Sequence, residues 1–394
     1  MTRLPKGFAA SGIRSGIRKR RPDLGLIVAD EGTTAAAIFT TNRFQAAPVV
    51  LSRRALARSG GRVRAVVVNA GCANAITGPD GIDAARRVRE RTAQLLSIPE
   101  REVFLASTGV IGVVLPDAKV RSALPDAVAR LSSGGVEALS HAILTTDIGP
   151  KVAAASFIHD GKRGRIVGVA KGAGMIHPNM ATMLAFLMTD VSGSPRFLKD
   201  ALCHAAASSF NAISVDGDTS TNDTVLLLAS GRLGGTTLER ESDGEDFRRA
   251  LGEVCRTLAW MIVRDGEGAT RVMELEVRGA RSIRDARIAA HAIATSPLVK
   301  TALNGGDPNW GRILAALGRS GVRFAPDRIS LAIGDVIVVH HGKPNGYREK
   351  DAARIFSRER VPVIVDLGSG TAAATLLTSD LGHDYVSVNA DYRS

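Results

Sequence analysis

Lys171-Gly-Ala-Gly-Met-Ile-His-Pro-Asn-Met-Ala-Thr-Met-Leu-Ala-Phe-Leu-Met188 is the most informative stretch of this chain. A glycine-rich segment leads to the small residue Ala181 and then to Thr182, and the apolar run that follows predicts a short buried strand. This order suits a threonine whose hydroxyl attacks the preceding carbonyl, so that the chain cleaves itself. The amine freed by cleavage can then serve as the base for that hydroxyl. The alternative is that Thr182 only caps a buried element that begins at Met183.

Around this stretch, strand-like and helix-like segments alternate with short links, which favours an α/β fold built in layers. The pattern restarts beyond about residue 275, so we expect a catalytic lobe over 1–275 and a second α/β lobe over 276–394. The elements predicted most clearly are buried strands at 64–68, 103–106 and 223–229, a hairpin at 152–169 around Asp160-Gly161, and helices at 82–96, 118–131, 136–144, 197–209 and 247–263.

With 394 residues and 45% apolar composition, the chain is long enough for two lobes with buried cores. No apolar stretch approaches the roughly 20 residues that span a bilayer, and the first residues do not read as a signal peptide. We therefore expect a cytoplasmic protein with no membrane partner.

The three cysteines have no metal-ligand spacing, which argues against a disulfide framework or a structural zinc site.

The formal net charge of +12 raises the question of a polyanionic partner. The chain lacks a basic ribbon interleaved with aromatic residues, a zinc finger and an RNP-like strand, so nucleic-acid binding is not expected. The positive charge is better explained by a solvated surface that favours approach of dicarboxylate substrates. Nucleotide binding is also unsupported, because the Gly172-Ala-Gly174 pair lacks its third glycine and no phosphate-binding loop of the GxxxxGK[ST] type occurs.

Several further motifs follow one another in a specific order along almost the whole chain. They are Pro5-Lys-Gly-Phe, Val68-Asn-Ala-Gly, Ser107-Thr-Gly-Val-Ile-Gly, Thr145-Thr-Asp, Ser214-Val-Asp-Gly-Asp-Thr-Ser-Thr-Asn-Asp, Arg264-Asp-Gly-Glu-Gly-Ala-Thr, Asp307-Pro-Asn-Trp-Gly-Arg and Asn389-Ala-Asp-Tyr-Arg-Ser. Together with the stretch around Thr182, this set resembles the ornithine acetyltransferases, also called bifunctional glutamate N-acetyltransferases, of arginine biosynthesis. The chain departs from the family's usual pattern at Ala70 and Cys72, where the family has polar residues.

The resemblance implies a nucleophile and an oxyanion hole. Thr182 becomes the nucleophile after self-cleavage between Ala181 and Thr182, which leaves chains 1–181 and 182–394. The side chain of Thr108 and the N–H of Gly109 form the oxyanion hole. Such donors fit acyl transfer, because negative charge develops on the carbonyl oxygen in the transition state.

The resemblance also implies a set of substrate contacts. Lys171 suits a substrate carboxylate and Glu267 suits an amino group. The full set is Thr145, Lys171, Thr182, Glu267, Asn389 and Ser394, and the adjacent Thr146 is an alternative to Thr145. The use of Asn389 and Ser394 means that the chain's tail folds back into the site. The segment 216–223 superficially resembles a calcium loop, but Thr221 and Leu227 exclude an EF-hand, and we assign it a scaffold role.

The implied reaction passes an acetyl group from N-acetylornithine to Thr182 and then to glutamate, with ping-pong kinetics. The implied fold is the αββα sandwich of the aminopeptidases and ornithine acetyltransferases, with a smaller C-terminal lobe. No metal or nucleotide cofactor is required, and two copies of each chain form a heterotetramer. Whether acetyl-CoA is also a donor is left open. Two alternatives also stay open: a self-cleaving amidase or aminopeptidase of the same fold, and a non-catalytic homologue.

Overall fold

The protein is described by a computed structural model that covers residues 2–177 and 183–391. The described chain divides into two compact units. Of the described residues, the first unit holds 2–177, 183–211 and Asp218–Ile262, and the second holds Ala212–Gly217 and 263–391. No helix among the described residues is long and apolar enough to cross a membrane.

The strands within this part of the chain are, in order, β1 (Phe8–Ile13), β2 (Leu24–Ala29), β3 (Thr34–Phe39), β4 (Ala65–Cys72), β5 (Val103–Val110), β6 (Lys151–His159), β7 (Lys162–Lys171), β8 (Leu184–Thr189), β9 (Ile213–Ser214), β10 (Thr224–Ala229), β11 (Val272–Ala280), β12 (Ser330–Ile333), β13 (Val336–His340), β14 (Lys343–Pro344), β15 (Arg360–Asp366) and β16 (Ala372–Ser379). The helices are α1 (Ala47–Arg58), α2 (Gly78–Leu96), α3 (Asp117–Ala129), α4 (Val136–Ala142), α5 (Pro195–Ala207), α6 (Glu245–Arg264), α7 (Ile283–Ala294), α8 (Pro297–Gly305), α9 (Trp310–Gly318), α10 (Glu349–Phe356) and α11 (His383–Asp391).

The first unit contains two sheets that pack face to face. One has the strand order β1-β2-β4-β5 and the other the order β3-β10-β8-β7-β6. Side chains of both sheets form one buried cluster, in which Val68 and Phe104 of the four-stranded sheet pack with Phe186 and Leu226 of the five-stranded sheet. The central strands β8 and β10 pair in parallel and are buried along their whole length, which explains their continuous apolar sequences.

Helices cover the outer faces of these sheets. Apolar residues of α1, α2 and α3 form a second cluster with the outward-facing residues of β2, β4 and β5, such as Leu26, Val67 and Leu105. On the other side, α6 packs on the five-stranded sheet, where Val254 and Leu258 lie close to Gly168 of β7. The layers are therefore helix, sheet, sheet and helix, which confirms the αββα sandwich expected from the resemblance.

The second unit has a single seven-stranded mixed sheet with the order β14-β13-β12-β15-β11-β16-β9. Helices α7, α9 and α10 contribute to its apolar core through residues such as Ile293, Leu317 and Phe356. The long strand β11 lies near the middle of this sheet, between β15 and β16.

This division differs from the lobes predicted at 1–275 and 276–394, because residues 263–275 lie with the second unit. The physical reason is β11, whose N-terminal half pairs with both β15 and β16 and cannot be separated from that sheet. The helix after the Asp307-Pro-Asn-Trp motif, α9, is capped by Asn309, whose side-chain oxygen accepts the Arg312 N–H at 3.1 Å.

Candidate active site in the first unit

Strand ends from three neighbouring strands meet at one edge of the five-stranded sheet. Lys171, the last residue of β7, lies opposite Leu184, the first residue of β8. Leu184 in turn pairs with Thr224, the first residue of β10. This register places Lys171, Met183 and Asp223 at the same edge, although they are distant in sequence.

The facing four-stranded sheet contributes the ends of β4 and β5, which run parallel and pair Asn69 with Ser107. The Ser107 hydroxyl donates to Asn69 Oδ1 at 2.6 Å. The side-chain amide of Asn222 donates to the Ser107 carbonyl at 2.8 Å and to the Ala73 carbonyl at 2.7 Å. The 216–223 motif thus helps to fix the strand end that carries Thr108 and Gly109.

Lys171 and Thr108 join the two sheets at this edge. The Lys171 ammonium donates a hydrogen bond to Thr108 Oγ1 at 3.3 Å, and both side chains are buried. Two residues that the sequence assigned to separate roles, in substrate binding and in the oxyanion hole, therefore contact each other directly.

Gly109 occupies a position that only glycine fits. Its φ of +130° is rarely adopted by other residues, and a Cβ there would lie 2.4 Å from the Gly71 carbonyl carbon. This close approach of β5 to β4 fixes the backbone at the predicted oxyanion hole. A backbone donor held by such steric constraint needs no reorganisation during reaction.

Asp147 is the charged centre of the site. Its Oδ1 accepts the Lys151 ammonium at 2.7 Å and the Gly172 N–H at 2.7 Å. Its Oδ2 accepts the Thr145 N–H at 3.0 Å and lies 3.9 Å from the Lys171 ammonium. One buried carboxylate therefore holds two buried lysines and two backbone segments.

The charge of Asp147 follows from these contacts. Burial by itself raises the pKa of the carboxyl, but the ammonium groups of Lys171 and Lys151 and the hydrogen bonds outweigh it and hold the pKa well below its ordinary value. Asp147 is therefore ionised at neutral pH. The Lys171 ammonium lies beside Thr108, and a cation at this place suits an anionic substrate group.

Thr145 is half-buried, and hydrogen bonds to its backbone N–H and carbonyl hold it in position. Its N–H is bound by Asp147, and its carbonyl accepts from the Arg18 guanidinium at 3.4 Å. Thr146 is half-buried as well. These contacts place the Thr145 segment beside the lysine cluster, and the choice between Thr145 and Thr146 as the substrate contact stays a prediction.

In the second unit, Glu267 and Asn389 contact each other. The Asn389 side-chain amide donates to Glu267 Oε2 at 2.8 Å and to the Tyr385 carbonyl at 3.0 Å. The Asp265–Gly268 loop lies tightly against α11, because a Cβ on Gly268 would come within 2.4 Å of the Tyr385 backbone nitrogen. The sequence did not predict α11, the helix that presents Asn389.

The predicted site residues therefore fall into two described pairs. Thr108 and Lys171 meet in the first unit, with Gly109 and Thr145 beside them, and Glu267 meets Asn389 in the second. Ala181, Thr182 and Ser394 lie outside the described residues. Ala70 and Cys72, the departures from the family pattern, are buried in β4, and Cys72 Sγ contacts the Val113 carbonyl at 3.3 Å.

Sequence reasoning missed three buried ionisable residues: Asp147, Lys151 and Asp223. Asp147 closes the Thr145-Thr-Asp motif and Asp223 closes the 216–223 motif, so both stood next to residues already singled out. No sequence signal marks Lys151. Its role depends on the register of β6, which brings it to the same sheet edge as Lys171.

The structure predicts that Asp147→Asn destabilises the protein by about 3–5 kcal/mol at pH 7, because two buried ammonium groups lose their counter-charge. The parent should also lose stability in acid. Its Asp147 has a lower pKa folded than unfolded, where it is about 3.9, so this contribution is complete above about pH 5 and disappears as pH falls.

Urea unfolding between pH 3 and 7 measures both effects. The free energy of unfolding of the variant should decrease less than that of the parent as the pH falls. Asp335→Asn, which changes an exposed aspartate in the β12–β13 turn, is the control and should unfold like the parent. Parental stability of the Asp147 variant at pH 7 would contradict the assignment.

Comparison with known proteins agrees with the resemblance. The model of the ArgJ family matches residues 9–394. The arginine biosynthesis bifunctional protein ArgJ of Chlorobaculum tepidum is 46% identical over 390 residues, which cover 99% of this chain and 96% of that protein. Its counterpart in Geobacter sulfurreducens is also 46% identical, over 99% of each chain. A solved chain of the arginine biosynthesis bifunctional protein from Bacillus halodurans is 41% identical, with a TM-score of 0.51, and the match covers 52% of this chain and 98% of that one. The chain therefore belongs to the ArgJ family, as its motifs predicted.

Proposed function

We propose that the protein is a glutamate N-acetyltransferase of arginine biosynthesis. It takes the acetyl group of N2-acetylornithine and passes it to glutamate, which gives ornithine and N-acetylglutamate. The observation that carries this proposal is the contact of Lys171 with Thr108 at the sheet edge where β8 begins. This contact places two groups beside the first residues of β8, the strand that begins two residues after Thr182. One is a cation for a substrate carboxylate, and the other is a hydroxyl that can stabilise an oxyanion.

In this proposal the chain first cleaves itself between Ala181 and Thr182. The segment that contains this bond is anchored on both sides by buried aspartates. Asp147 binds the Gly172 N–H before it, and Asp223 binds the Met183 N–H after it at 2.9 Å. The length of the solved Bacillus halodurans chain also agrees with cleavage. Matched over 98% of its length, it spans 52% of this chain, and residues 182–394 likewise make up slightly more than half.

Acetyl transfer then uses the new N-terminus of the second chain. The free amine of Thr182 takes the hydroxyl proton as Oγ attacks the acetyl carbonyl, and Thr108 and Gly109 stabilise the resulting oxyanion. Ornithine leaves and an acetyl-threonine ester remains. The amine of glutamate attacks this ester in turn, which regenerates Thr182 and gives ping-pong kinetics.

Substrate recognition in this proposal depends on opposite charges. The Lys171 ammonium, held beside Thr108 and Asp147, suits the carboxylate shared by acetylornithine and glutamate. Glu267, whose Oε2 is already oriented by Asn389, suits the amino group. Thr145, Asn389 and Ser394 complete the proposed contacts. Acetylornithine and glutamate carry equivalent α-carboxylates, so the same cation serves both substrates.

The assembly and the location follow as parts of the same proposal. The two chains form a heterotetramer of two copies each, work in the cytoplasm and need no cofactor.

Acetyl-CoA is a further donor candidate, since the curated relatives are named as bifunctional proteins. Glutamate acetylation measured with acetylornithine and with acetyl-CoA as alternative donors tests this point, and we expect turnover with both. Turnover with acetylornithine alone would make the enzyme monofunctional.

Thr182→Ala should abolish both cleavage and acetyl transfer, because it removes the nucleophile of each step. Denaturing electrophoresis and intact mass should show two chains for the parent and a single chain for the variant. A parent that remains one chain while active would overturn the proposal. Acetate release without glutamate would identify an amidase instead.

Thr108→Val should lower kcat for acetyl transfer by about 10²–10³-fold, which corresponds to about 2.7–4 kcal/mol for one oxyanion donor. The exchange is nearly isosteric, so folding should be preserved. Thr92→Val, which alters a buried threonine bonded only within α2, is a matched control and should retain parental kcat. Equal kcat for the two variants would remove Thr108 from the oxyanion hole.

A further inference from the structure

Asp380 is a buried residue of the second unit that the steps above leave without a role. It directly follows β16 and is only 2% exposed. Its Oδ1 accepts the backbone N–H groups of Thr270 and Arg271 at 2.8 and 3.1 Å. Its Oδ2 accepts the Thr270 hydroxyl at 2.5 Å and the side-chain amide of Asn304 at 2.8 Å. Four donors therefore meet on one buried side chain.

These contacts lie where two paired strands separate. β11 and β16 are antiparallel, and Val272 and Ser379 form the pair at one end of their ladder. Just beyond this pair, the Asp380 N–H donates to the Arg271 carbonyl at 3.1 Å. From here one segment leads back to the loop that carries Glu267, and the other leads into α11. Asp380 therefore joins the loop to the start of the helix.

The position of α11 depends on how the helix starts, because its nine residues include none that is buried. A helix this short is marginal unless other contacts hold it. The Leu381 N–H donates to the Lys300 carbonyl at 3.2 Å. Gly382 packs so closely on Asn304 that an added Cβ would lie 2.6 Å from the amide nitrogen. The segment that begins with Asp380 is thus fixed before α11 starts.

The contact between Glu267 and Asn389 cannot hold the loop and the helix together by itself. It is an exposed hydrogen bond, and exposed polar pairs compete with water and contribute little. The Tyr385 hydroxyl also donates to Asp216 Oδ2, but at 3.3 Å. The bonds of Asp380 are more numerous and include a side chain that is shielded from water. They are the stronger constraint on where Glu267 meets Asn389.

We propose that Asp380 is a positioning residue for substrate recognition: it holds the Glu267 loop and α11 at the separation that lets Asn389 orient Glu267. This inference rests on the proposed function, in which Glu267 receives a substrate amino group. Asp380 itself does not touch the substrate. A carboxylate suits this task, because each of its oxygens can accept two hydrogen bonds and each accepts two here.

Asp380→Ala removes all four side-chain hydrogen bonds. Hydrogen exchange measured by mass spectrometry should be faster than in the parent in α11 and in the 265–271 loop, with the rest of the second unit unchanged. Asp366→Ala is the matched control and should leave exchange in α11 at the parental rate. Asp366 ends β15, on the other side of β11, and accepts the Gly368 N–H and the Arg278 guanidinium at 3.0 Å each.

Steady-state kinetics distinguish positioning from a general loss of stability. In Asp380→Ala, the KM for acetylornithine, for glutamate or for both should increase about 10–100-fold, as expected for one hydrogen bond to a charged group. The kcat should stay within about threefold, because the lost contact acts on binding. In the Glu267→Gln background the same change should have no further effect, since Asp380 acts through Glu267. Additive effects or parental KM values would overturn the inference.

The outcomes separate this inference from the function on which it rests. A parent that transfers no acetyl group from acetylornithine to glutamate would refute the proposed function. An active parent whose Glu267→Gln variant keeps the parental KM values would overturn only the inference, because Asp380 would then have no substrate contact to position.

If Asp380→Ala does not fold, Thr270→Val provides the test. This nearly isosteric exchange keeps the Thr270 and Arg271 backbone bonds to Asp380 and removes only the hydroxyl bond. We expect KM to increase about 3–10-fold, again without effect in the Glu267→Gln background. Parental KM values in Thr270→Val would contradict the inference.

Discussion

The carboxylate of Asp147 binds four groups from three parts of the chain, and the geometry of the candidate site depends on it. It accepts from the Thr145 and Gly172 backbone and from Lys151, and it lies against Lys171. A buried ion pair with one carboxylate and two ammonium groups is tolerable only because backbone hydrogen bonds also stabilise the anion. The same contacts keep Lys171 extended toward Thr108, where its charge is useful for acyl transfer.

Two buried aspartates at one sheet edge show how the local environment gives identical side chains different pKa values. Asp147 has cations and several donors around it and remains charged. Asp223 is fully buried and accepts the Met183 N–H through Oδ1, and burial raises the pKa of its carboxyl well above the ordinary value. The fold brings the two aspartates into such different surroundings, because Lys171 at the end of β7 lies beside Asp147 while Asp223 precedes the fully buried strand β10.

The second unit contributes a separate and simpler arrangement. Asp380 fixes the segment after Glu267 by accepting the backbone N–H groups of Thr270 and Arg271 at 2.8 and 3.1 Å. The loop carrying Glu267 packs so closely on α11 that Gly268 cannot carry a side chain. This close packing brings Asn389 into contact with Glu267, although the two residues are more than a hundred positions apart in sequence.

The sequence by itself determined the family, the layered α/β class, most helices and strands of the first unit, and the residue types that acyl transfer needs. Local patterns carry that information, because the spacing of apolar residues along a short segment indicates a buried strand or an amphipathic helix. The sequence did not determine the lobe boundary, the Asn309 cap, α11, or the parts played by Asp147, Lys151 and Asp223. The parts played by these three buried residues depend on strand register, which joins Lys171 to Leu184 and Leu184 to Thr224 across long stretches of chain. The charge of a buried aspartate is decided by the neighbours that folding gives it, and only the tertiary structure supplies them.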